Sequence, residues 1–312
     1  MKKVFAVTAA LALLGLGIAA QATITIDTVA IGDRYNDPDT LTGYGSVGYN
    51  YNIGKYEVTA GQYTAFLNAV AGTNDTYGLY NTGMWDTSYG CKIQQTSVSG
   101  GYSYSVASDY ANRPVNYVSY WDSLRFANWL GNGQVNGSTE TGAYTLTPTG
   151  IANNTITRNP GWTGWAVTNE DEWYKAAYYD PNKGGIGVGG YWDCPTSSDT
   201  INTGMANYDG SVGHTTTVGS YAYTSVYGTF DQGGNVWEWN EAIISGPYRG
   251  MRGGSFDVSG YYLQSSVRIS SYDPNNEIDA LGFRVSGVPE PASIIALAGG
   301  LVSLLGIRRR RA

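Results

Sequence analysis

Apolar and polar positions alternate with two different periods along the chain, and these predict strands and helices in different places. The segment ATITIDTVAIGD, residues 22–33, alternates and is rich in β-branched residues, which is typical of a strand. A second short strand is predicted at Ile53–Val58, and a third at the WAV stretch of residues 165–167.

Three other segments carry apolar residues three or four positions apart, as helices that face a core do. Thr59, Ser119 and Thr168 precede these segments and are the predicted N-caps. Gly131 is a stop signal for the second helix, and Glu170–Glu172 place carboxylates in the first turn of the third, where the helix dipole favours them. We expect the buried sides to consist of Tyr63, Phe66, Leu67 and Val70, of Leu124, Phe126, Ala127 and Leu130, and of Trp173, Ala176 and Ala177.

The rest of the body favours loops and short strands. Residues 72–112 and 131–164 are rich in glycine, threonine or tyrosine and are predicted to be irregular. After residue 180 no long helical pattern occurs, and GMRGGSFDVSG, SSVRISS and ALGFRVSG are predicted to form three strands. Since no internal repeat or linker is visible, residues 23–287 are predicted to form one loop-rich α+β domain with few helices.

Both ends have the pattern of targeting segments. Residues 1–22 start with MKK, continue as an apolar run and reach Ala20-Gln21-Ala22, which predicts a secretory signal peptide cleaved after Ala22. Near the other end, the apolar run Ile294–Ile307 has 14 residues, which is short for a stable membrane span. Arg308–Arg311 follow it, and such a cluster tends to stay on the cytoplasmic side. We therefore expect an exported body and a transient membrane association through residues 294–307.

The body between these ends is acidic. Residues 23–288 keep 12 of the 18 basic and 24 of the 25 acidic residues, a net charge of −12. This argues against a nucleic-acid partner and favours calcium, which binds carboxylate and carbonyl oxygens. Acidity that only keeps an exported protein soluble is the alternative. The 27 tyrosines suit a surface that binds polar ligands such as sugars, although a loop-rich fold also uses tyrosines to cover its core.

Cysteine and histidine are scarce. Cys91 and Cys194 can pair outside the inner membrane, and the bridge would close a loop of about 100 residues, worth roughly 4–5 kcal/mol in the entropy model. The sequence leaves that pairing open. The single histidine, His214, excludes sites that need two histidines, and no G-x-S-x-G motif is present.

Residues 231–241 read DQGGNVWEWNE, a stretch that places Asp231, Asn235, Glu238 and Glu241 beside Trp237 and Trp239. It stands in a series with KYEVTAGQYTAFL, PVNYVSYWDSLRFANWL and WAVTNEDEWYKAA before it, and MRGGSF and LGFR after it. In this series the chain resembles the formylglycine-generating enzyme (sulfatase-modifying factor) family from about residue 30 to residue 287. The resemblance implies that family's irregular α+β fold, a distant relative of C-type lectin folds.

Enzymes of this family carry two cysteines just after the GGS(Y/F) signature, where the thiolates hold copper and activate oxygen. By motif alignment the corresponding positions here are Val258 and Leu263, and neither side chain can ligate a metal or act as a nucleophile. The resemblance therefore predicts no copper and no catalytic residues of the family's oxidase type.

The resemblance also implies structural calcium. One site would use the side chains of Asp231 and Glu238 and the carbonyls of Gly234 and Val236, with Asn235 as a ligand or a brace. A metal-free turn packed by tryptophans is the alternative for this stretch. A second implied site has three candidates: Asn207, Tyr208 (through its carbonyl) and Asp209.

Other residues fall in the family signatures. Arg252 and Arg284 are predicted to be structural. Four residues lie where the enzymes have their active-site cleft, and they are predicted to form either a ligand-binding surface or a degenerate one: Asp257, Ser259, Tyr261 and Tyr262.

The C-terminal segment, residues 288–312, resembles the PEP-CTERM sorting signal of Gram-negative bacteria. The match consists of Val288-Pro289-Glu290-Pro291, the apolar run and the arginine cluster, in that order. It implies that an exosortase removes the tail and that the protein resides at the cell surface or in an exopolysaccharide (biofilm) matrix. A plain C-terminal anchor is the alternative.

Together these patterns predict an exported, non-catalytic family member: a calcium-stabilised binding or matrix protein whose ligand is a glycan or another surface protein. The alternative is an enzyme of another class on the same scaffold. It would be an oxidoreductase, or a hydrolase that uses carboxylates such as Asp257 and Asp273.

Overall fold

The computed structural model describes residues 23–244, 246–269 and 272–288. The predicted signal peptide and all of the predicted sorting tail except Val288 lie outside these residues. Within them the chain forms eleven short strands, five helices and one 3-10 turn, Gly260–Leu263, joined by long loops. The strands are β1 (Thr28–Ile31), β2 (Tyr51–Gly54), β3 (Ile93–Val98), β4 (Gly101–Val106), β5 (Gly164–Val167), β6 (Tyr179–Asp180), β7 (Gly190–Tyr191), β8 (Trp237–Ile243), β9 (Arg249–Arg252), β10 (Leu281–Phe283) and β11 (Val285–Val288). The helices are α1 (Ala60–Val70), α2 (Gly83–Asp86), α3 (Tyr120–Gly131), α4 (Pro148–Ala152) and α5 (Glu170–Tyr178).

The largest sheet joins strands from distant parts of the sequence, in the order β1-β2-β11-β5. All three pairings are antiparallel. Ile53 of β2 faces Ser286 of β11, and Val285 of β11 faces Val167 of β5. The last strand of the domain therefore lies inside the sheet, between two strands that come much earlier in the chain.

A second sheet has the order β10-β8-β9, with β8 in the centre. β8 contains the WEW triplet and runs parallel to β10, with Trp237 opposite Leu281. It runs antiparallel to β9, with Glu238 opposite Arg252. Both predicted structural arginines belong to this region, since Arg252 is the last residue of β9 and Arg284 directly follows β10.

The main core joins α1 and α3 to strands of both sheets, with α3 against β5 of the first sheet and β8 of the second. Thr59 and Ser119 cap the two helices, each in a capping box that also satisfies the N-cap backbone N–H. Aromatic rings fill the space between the elements: Phe66, Phe126, Trp129 and Phe283 lie with ring centroids 5.3–5.6 Å apart. Edge-to-face and tilted contacts of this kind are favourable.

Helices α1, α3 and α5 confirm the three predicted helices, with one shift in a cap. Asn169, not Thr168, caps α5, because its side chain accepts from the Glu172 N–H. Thr168 is fully buried, and its hydroxyl has no hydrogen-bond partner among the described residues. The predicted buried residues of α5, Trp173, Ala176 and Ala177, are buried.

Several strand predictions were wrong in extent or missed an element. Only Thr28–Ile31 of the first predicted strand pairs, and the second is Tyr51–Gly54 rather than Ile53–Val58. Residues 72–112 are not irregular throughout, since they hold α2 and the hairpin β3–β4. The predicted strand at 280–287 divides between the two sheets, and residues 253–263 turn away from the sheet instead of extending it.

The two cysteines are free thiols, so the disulfide that the sequence left open does not form. Cys91 lies in the main core beside the Asn116 carbonyl, whereas Cys194 forms an isolated bridge with Ser198 in the outer loops. Burial raises the pKa of both thiols to about 11, which makes them poor nucleophiles.

Among the helices that the structure describes, none has the length and apolar character needed to cross a membrane.

Candidate functional site

The loop before β8 is held in a conformation that most residues avoid. Asp231, Gly234 and Asn235 all have positive φ angles, of 58°, 85° and 60°. A Cβ at Gly234 would lie 2.2 Å from the Asn207 carbonyl oxygen, so only glycine fits at this close approach. The Asn235 N–H donates to that same carbonyl at 2.8 Å. The loop is therefore pinned against residue 207, and this brings the two predicted calcium groups next to each other.

The Asn235 side chain braces three segments. Its Oδ1 accepts from the Thr216 N–H at 2.9 Å and from Asn207 Nδ2 at 3.0 Å, and its Nδ2 donates to the Thr216 carbonyl at 3.3 Å. Of the two roles expected for Asn235, these contacts match that of a brace.

Glu238 lies on β8 and is fully buried. Arg284 donates to both of its oxygens, from Nε to Oε2 at 2.7 Å and from Nη2 to Oε1 at 2.6 Å. Trp173 Nε1 adds a third hydrogen bond, to Oε2 at 2.6 Å. Glu238 is thus neutralised by a bidentate ion pair, and Arg284 has the structural position that was predicted for it.

Among the described residues, the Asp231 side chain has one hydrogen bond, in which Oδ2 accepts from the Gly219 N–H at 2.6 Å. Burial raises its pKa to about 6. A second carboxylate nearby was missed by the sequence reasoning: Glu57, which is 1% exposed and has no hydrogen-bond partner on either oxygen among the described residues. Burial, and next the charge of Asp231, raise the pKa of Glu57 well above its usual range. One signal in the sequence could have identified Glu57 as a buried acid. In the stretch KYEVT it lies between Tyr56 and Val58, where a solvent-exposed position is not expected.

The second predicted group does not converge on one point. Asn207 is buried, and its Nδ2 donates to the His214 carbonyl at 2.9 Å, while its Oδ1 has no partner among the described residues. Tyr208 is mostly buried and packs against Leu263. Asp209 is exposed, and its N–H donates to the Val258 carbonyl at 2.7 Å.

No group of three or more His, Cys, Asp or Glu side chains within residues 23–244, 246–269 and 272–288 is arranged to hold a metal ion. A calcium ion near Asp231 would therefore have at most two carboxylate ligands and would need carbonyl or water oxygens as well.

Val258 and Leu263, the positions that align with the two cysteines of the family enzymes, lie close together. A Cβ on Gly254 would lie 2.6 Å from a Leu263 methyl and 3.3 Å from a Val258 methyl, so the two side chains cover the same glycine. Leu263 is fully buried beside Ala206 and Tyr208, and Val258 is half-buried against the same cluster. An apolar contact occupies the place where the resemblance implies two thiols.

The predicted ligand-binding residues lie mostly at the surface beside this contact. Asp257 and Ser259 are exposed, and Tyr261 is 61% exposed. Tyr262 is half-buried with its ring edge-on to Trp237, at a centroid distance of 5.8 Å. The Ser255 hydroxyl donates to Asp257 Oδ1 at 2.6 Å and fixes that carboxylate.

Two clefts that were not predicted from the sequence lie elsewhere. One, of about 500 Å³, is lined by residues 24–27, 56–59, 61–62, 111–112 and 217–218. The other, of about 640 Å³, is lined by residues 33–41 and 187–191 together with Tyr179 and Asp193. Tyr191 fixes a wall of the second cleft, because its hydroxyl donates to the Asp37 carbonyl at 2.8 Å.

The residues proposed for the alternative enzymes have other contacts. Asp273 Oδ1 accepts from the backbone N–H and from Nδ2 of Asn275, at 2.9 and 2.7 Å, as in a turn. The His214 ring lies 3.1 Å from an Arg113 guanidinium nitrogen, and a cation there disfavours metal binding.

Residues 45–287 match the sequence model of the family described as sulfatase-modifying factor enzyme 1-like domain. A curated relative, hercynine oxygenase of Mycolicibacterium smegmatis, is 30% identical over 131 residues. That match covers 34% of this chain and 29% of the relative, so the chain spans less than a third of the relative's length.

Two solved structures share the fold. Treponema denticola variable protein 1 has a TM-score of 0.57 at 19% identity, covering 86% of this chain and 97% of that one. CarF has a TM-score of 0.54 at 22% identity, covering 86% and 100% of the two chains. These likenesses confirm the predicted loop-rich α+β fold of the formylglycine-generating enzyme type.

Proposed function

The chain belongs to the sulfatase-modifying factor family, and from that premise we propose that it is an exported, non-catalytic member that binds a glycan at the cell surface or in an exopolysaccharide matrix. The contact between Val258 and Leu263 carries the proposal. Copper-dependent oxidation needs a thiolate pair, and two packed apolar side chains stand at those positions. The two thiols of the chain are buried and lie in separate regions.

Calcium is part of this proposal as a structural ion near Asp231. Carboxylate oxygens in an acidic body are its preferred ligands, and the Glu57 oxygens, which have no hydrogen-bond partner among the described residues, support a cation in this region. Bound calcium would stabilise the loop between residues 231 and 236 and would supply no chemistry.

The surface at residues 257–262 supports binding of a glycan. Tyr261 offers an exposed ring, and Asp257 and Ser259 add hydrogen-bonding groups next to it. Another surface protein is the other ligand that this patch suits. Export and removal of the tail by an exosortase rest on residues 1–22 and 288–312 alone.

The match to hercynine oxygenase is the one observation that favours an oxidoreductase instead. The chain has a single histidine, His214, and this lies against Arg113. A redox metal site built on several histidines is therefore not available to it, which makes the non-catalytic proposal the stronger one.

A direct assay tests the absence of oxidase activity. We expect the purified protein, supplied with copper and oxygen, to form no formylglycine on a sulfatase-motif peptide, because the thiolate pair is missing. Mass spectrometry of the peptide measures this, with an active family member as the positive control. Copper-dependent turnover of the peptide would overturn the proposal.

Binding to a glycan array tests the proposed glycan binding. We expect Tyr261→Ala to weaken binding of the recognised glycan about 2- to 10-fold, the range that loss of one aromatic contact gives. Tyr223→Ala is the matched control, because Tyr223 is 48% exposed and lies outside the patch. No binding to any glycan, or equal effects of the two substitutions, would exclude the patch as the site.

A further inference from the structure

Three large apolar side chains stand exposed around the second cleft, the one of about 640 Å³ that residues 33–41 and 187–191 line. Leu41 is 84% exposed, Tyr35 73% and Val188 57%. Apolar side chains scattered singly over a surface need no explanation. Three that border one cleft form a patch, and such patches mark places where a partner binds.

Backbone hydrogen bonds hold two of these side chains outward. Leu41 lies in a turn where its N–H donates to Asp39 Oδ1 at 2.9 Å and the Gly43 N–H donates to the Asp39 carbonyl at 2.7 Å. Val188 lies in a loop that is closed by the Gly184 N–H, which donates to the Val188 carbonyl at 2.9 Å. Because both turns are bonded internally, little conformational entropy is lost when a partner packs on them.

Tyr35 is held at the rim in a strained conformation. Its φ angle is 66°, in the left-handed region that bulky residues rarely adopt. Its N–H donates to the Val47 carbonyl at 2.8 Å, and a Cβ on Gly48 would lie 3.2 Å from Tyr35 Cε1, so the ring rests on that glycine. Strain of this kind persists where the surrounding structure imposes it, and it is frequent at binding sites.

The two walls of the cleft are tied together by the buried side chain of Asn36. Its Nδ2 donates to the Gly45 carbonyl at 2.8 Å and to the Tyr191 hydroxyl at 2.7 Å, and its Oδ1 accepts from the Val47 N–H at 3.2 Å. Since Tyr191 belongs to the opposite wall, the fold itself forms the cleft, as is usual for binding sites.

The cleft is negatively charged. Asp33, Asp37 and Asp193 line it, are exposed and form no ion pair among the described residues. The basic residue that the described chain contributes to the lining is Arg34, whose guanidinium lies 5.7 Å from the Tyr35 ring centroid. An excess of negative charge at a binding surface attracts a cationic partner and repels an acidic one.

We propose that the second cleft is a docking site for a basic segment of a partner protein, in which lysine or arginine side chains alternate with apolar ones. An apolar centre with charged groups around it is the arrangement of a protein interface, and a hydroxyl-rich glycan gains little from Leu41 and Val188. The cleft shares no residue with the surface at 257–262, so the proposal goes beyond the glycan binding proposed above. A protein with both sites would join a glycan to a cationic protein.

Fluorescence anisotropy with a labelled synthetic peptide of alternating lysine and leucine tests the docking site. The same peptide with glutamate in place of lysine is the charge control, and we expect only the lysine peptide to bind. Leu41→Ser should weaken binding about fivefold or more, because it removes an apolar anchor. Asp37→Asn should weaken binding about two- to fivefold and make it less sensitive to salt. Val98→Ser and Asp109→Asn are the matched controls and should bind normally, since both residues are exposed and lie outside the cleft.

The outcomes separate this docking site from the proposed function. Failure of the lysine peptide to bind, or equal binding of the two peptides, would overturn the proposal, and so would equal affinities of Leu41→Ser and Val98→Ser. If the lysine peptide does not bind, while Leu41→Ser and Tyr35→Ala reduce binding on the glycan array, the cleft is a glycan site and the docking assignment is wrong. If the protein binds no glycan at all, the glycan proposal falls, and the peptide experiment still decides this one.

Discussion

Buried acids in this molecule differ chiefly in their partners. Glu172 is fully buried, and burial by itself raises its pKa, yet Arg158 and the Tyr49 hydroxyl together lower the pKa below its usual value. Arg158 donates to both Glu172 oxygens, at 2.9 and 3.0 Å. Glu57 has the same side chain and similar burial, but neither of its oxygens has a hydrogen-bond donor among the described residues. Burial alone therefore does not decide the charge state of these acids; the donors around each carboxylate do.

The effect of burial on Asp122 can be tested through the pH dependence of the free energy of unfolding. It is 2% exposed, and burial and then the charge of Glu277 raise its pKa to about 7, against the donors of Ser119 and the nearby Arg125. Between pH 4 and 7 the native state holds a proton that the unfolded chain releases, so the free energy of unfolding falls as pH rises through this window. Asp122→Asn removes the titration and keeps a side-chain acceptor for the Ser119 N–H.

We expect the natural protein to lose about 2 kcal/mol more stability than Asp122→Asn between pH 5 and pH 8. Urea denaturation of both proteins at the two pH values measures the difference. Equal losses in the two proteins would show that Asp122 does not titrate in this range.

Among the elements, the three longer helices α1, α3 and α5 were predictable, whereas the short helices α2 and α4 and the hairpin were not. Helix α1 has a capping threonine and an apolar stripe, two local signals that agree. In the hairpin β3–β4, only Ile93 and Tyr104 are buried, so the alternation is carried by serine, threonine and tyrosine. A strand can be recognised from its sequence when one of its faces is apolar. This hairpin packs only a few side chains, so it lacks such a face.

Two neighbouring residues, Thr168 and Asn169, are expected to differ in what they contribute to the cap of α5. We expect Asn169→Ala to lower the free energy of unfolding by about 1 kcal/mol, because it removes the acceptor for the Glu172 N–H. Thr168→Val should leave stability unchanged or raise it, since the buried hydroxyl has no partner to lose. Urea denaturation of the two variants compares them directly. A larger loss in Thr168→Val would mean that this hydroxyl has a partner in solution.

For the whole molecule, sequence reasoning finds what lies close together in the chain. Asp231, Gly234 and Asn235 were identifiable because a single loop carries them. Glu57 and the ion pair of Glu238 with Arg284 depend on segments that meet only in the folded chain. The spacing of residues along the sequence does not show which distant segments come into contact in the fold. For this reason the predicted ligand Glu238 proved to be paired with Arg284, and Glu57 was missed.

The interior position of β11 sets an order of assembly. Strands β2 and β5 both pair with residues 285–288, so neither can complete its hydrogen bonding until the final segment of the domain arrives. Contacts this far apart in sequence make folding slow, because a long loop must close before they form. Until then β2 and β5 present open edges that can pair with other chains. A chain that emerges gradually therefore depends on staying unfolded, or on a chaperone, until its last strand is free to insert.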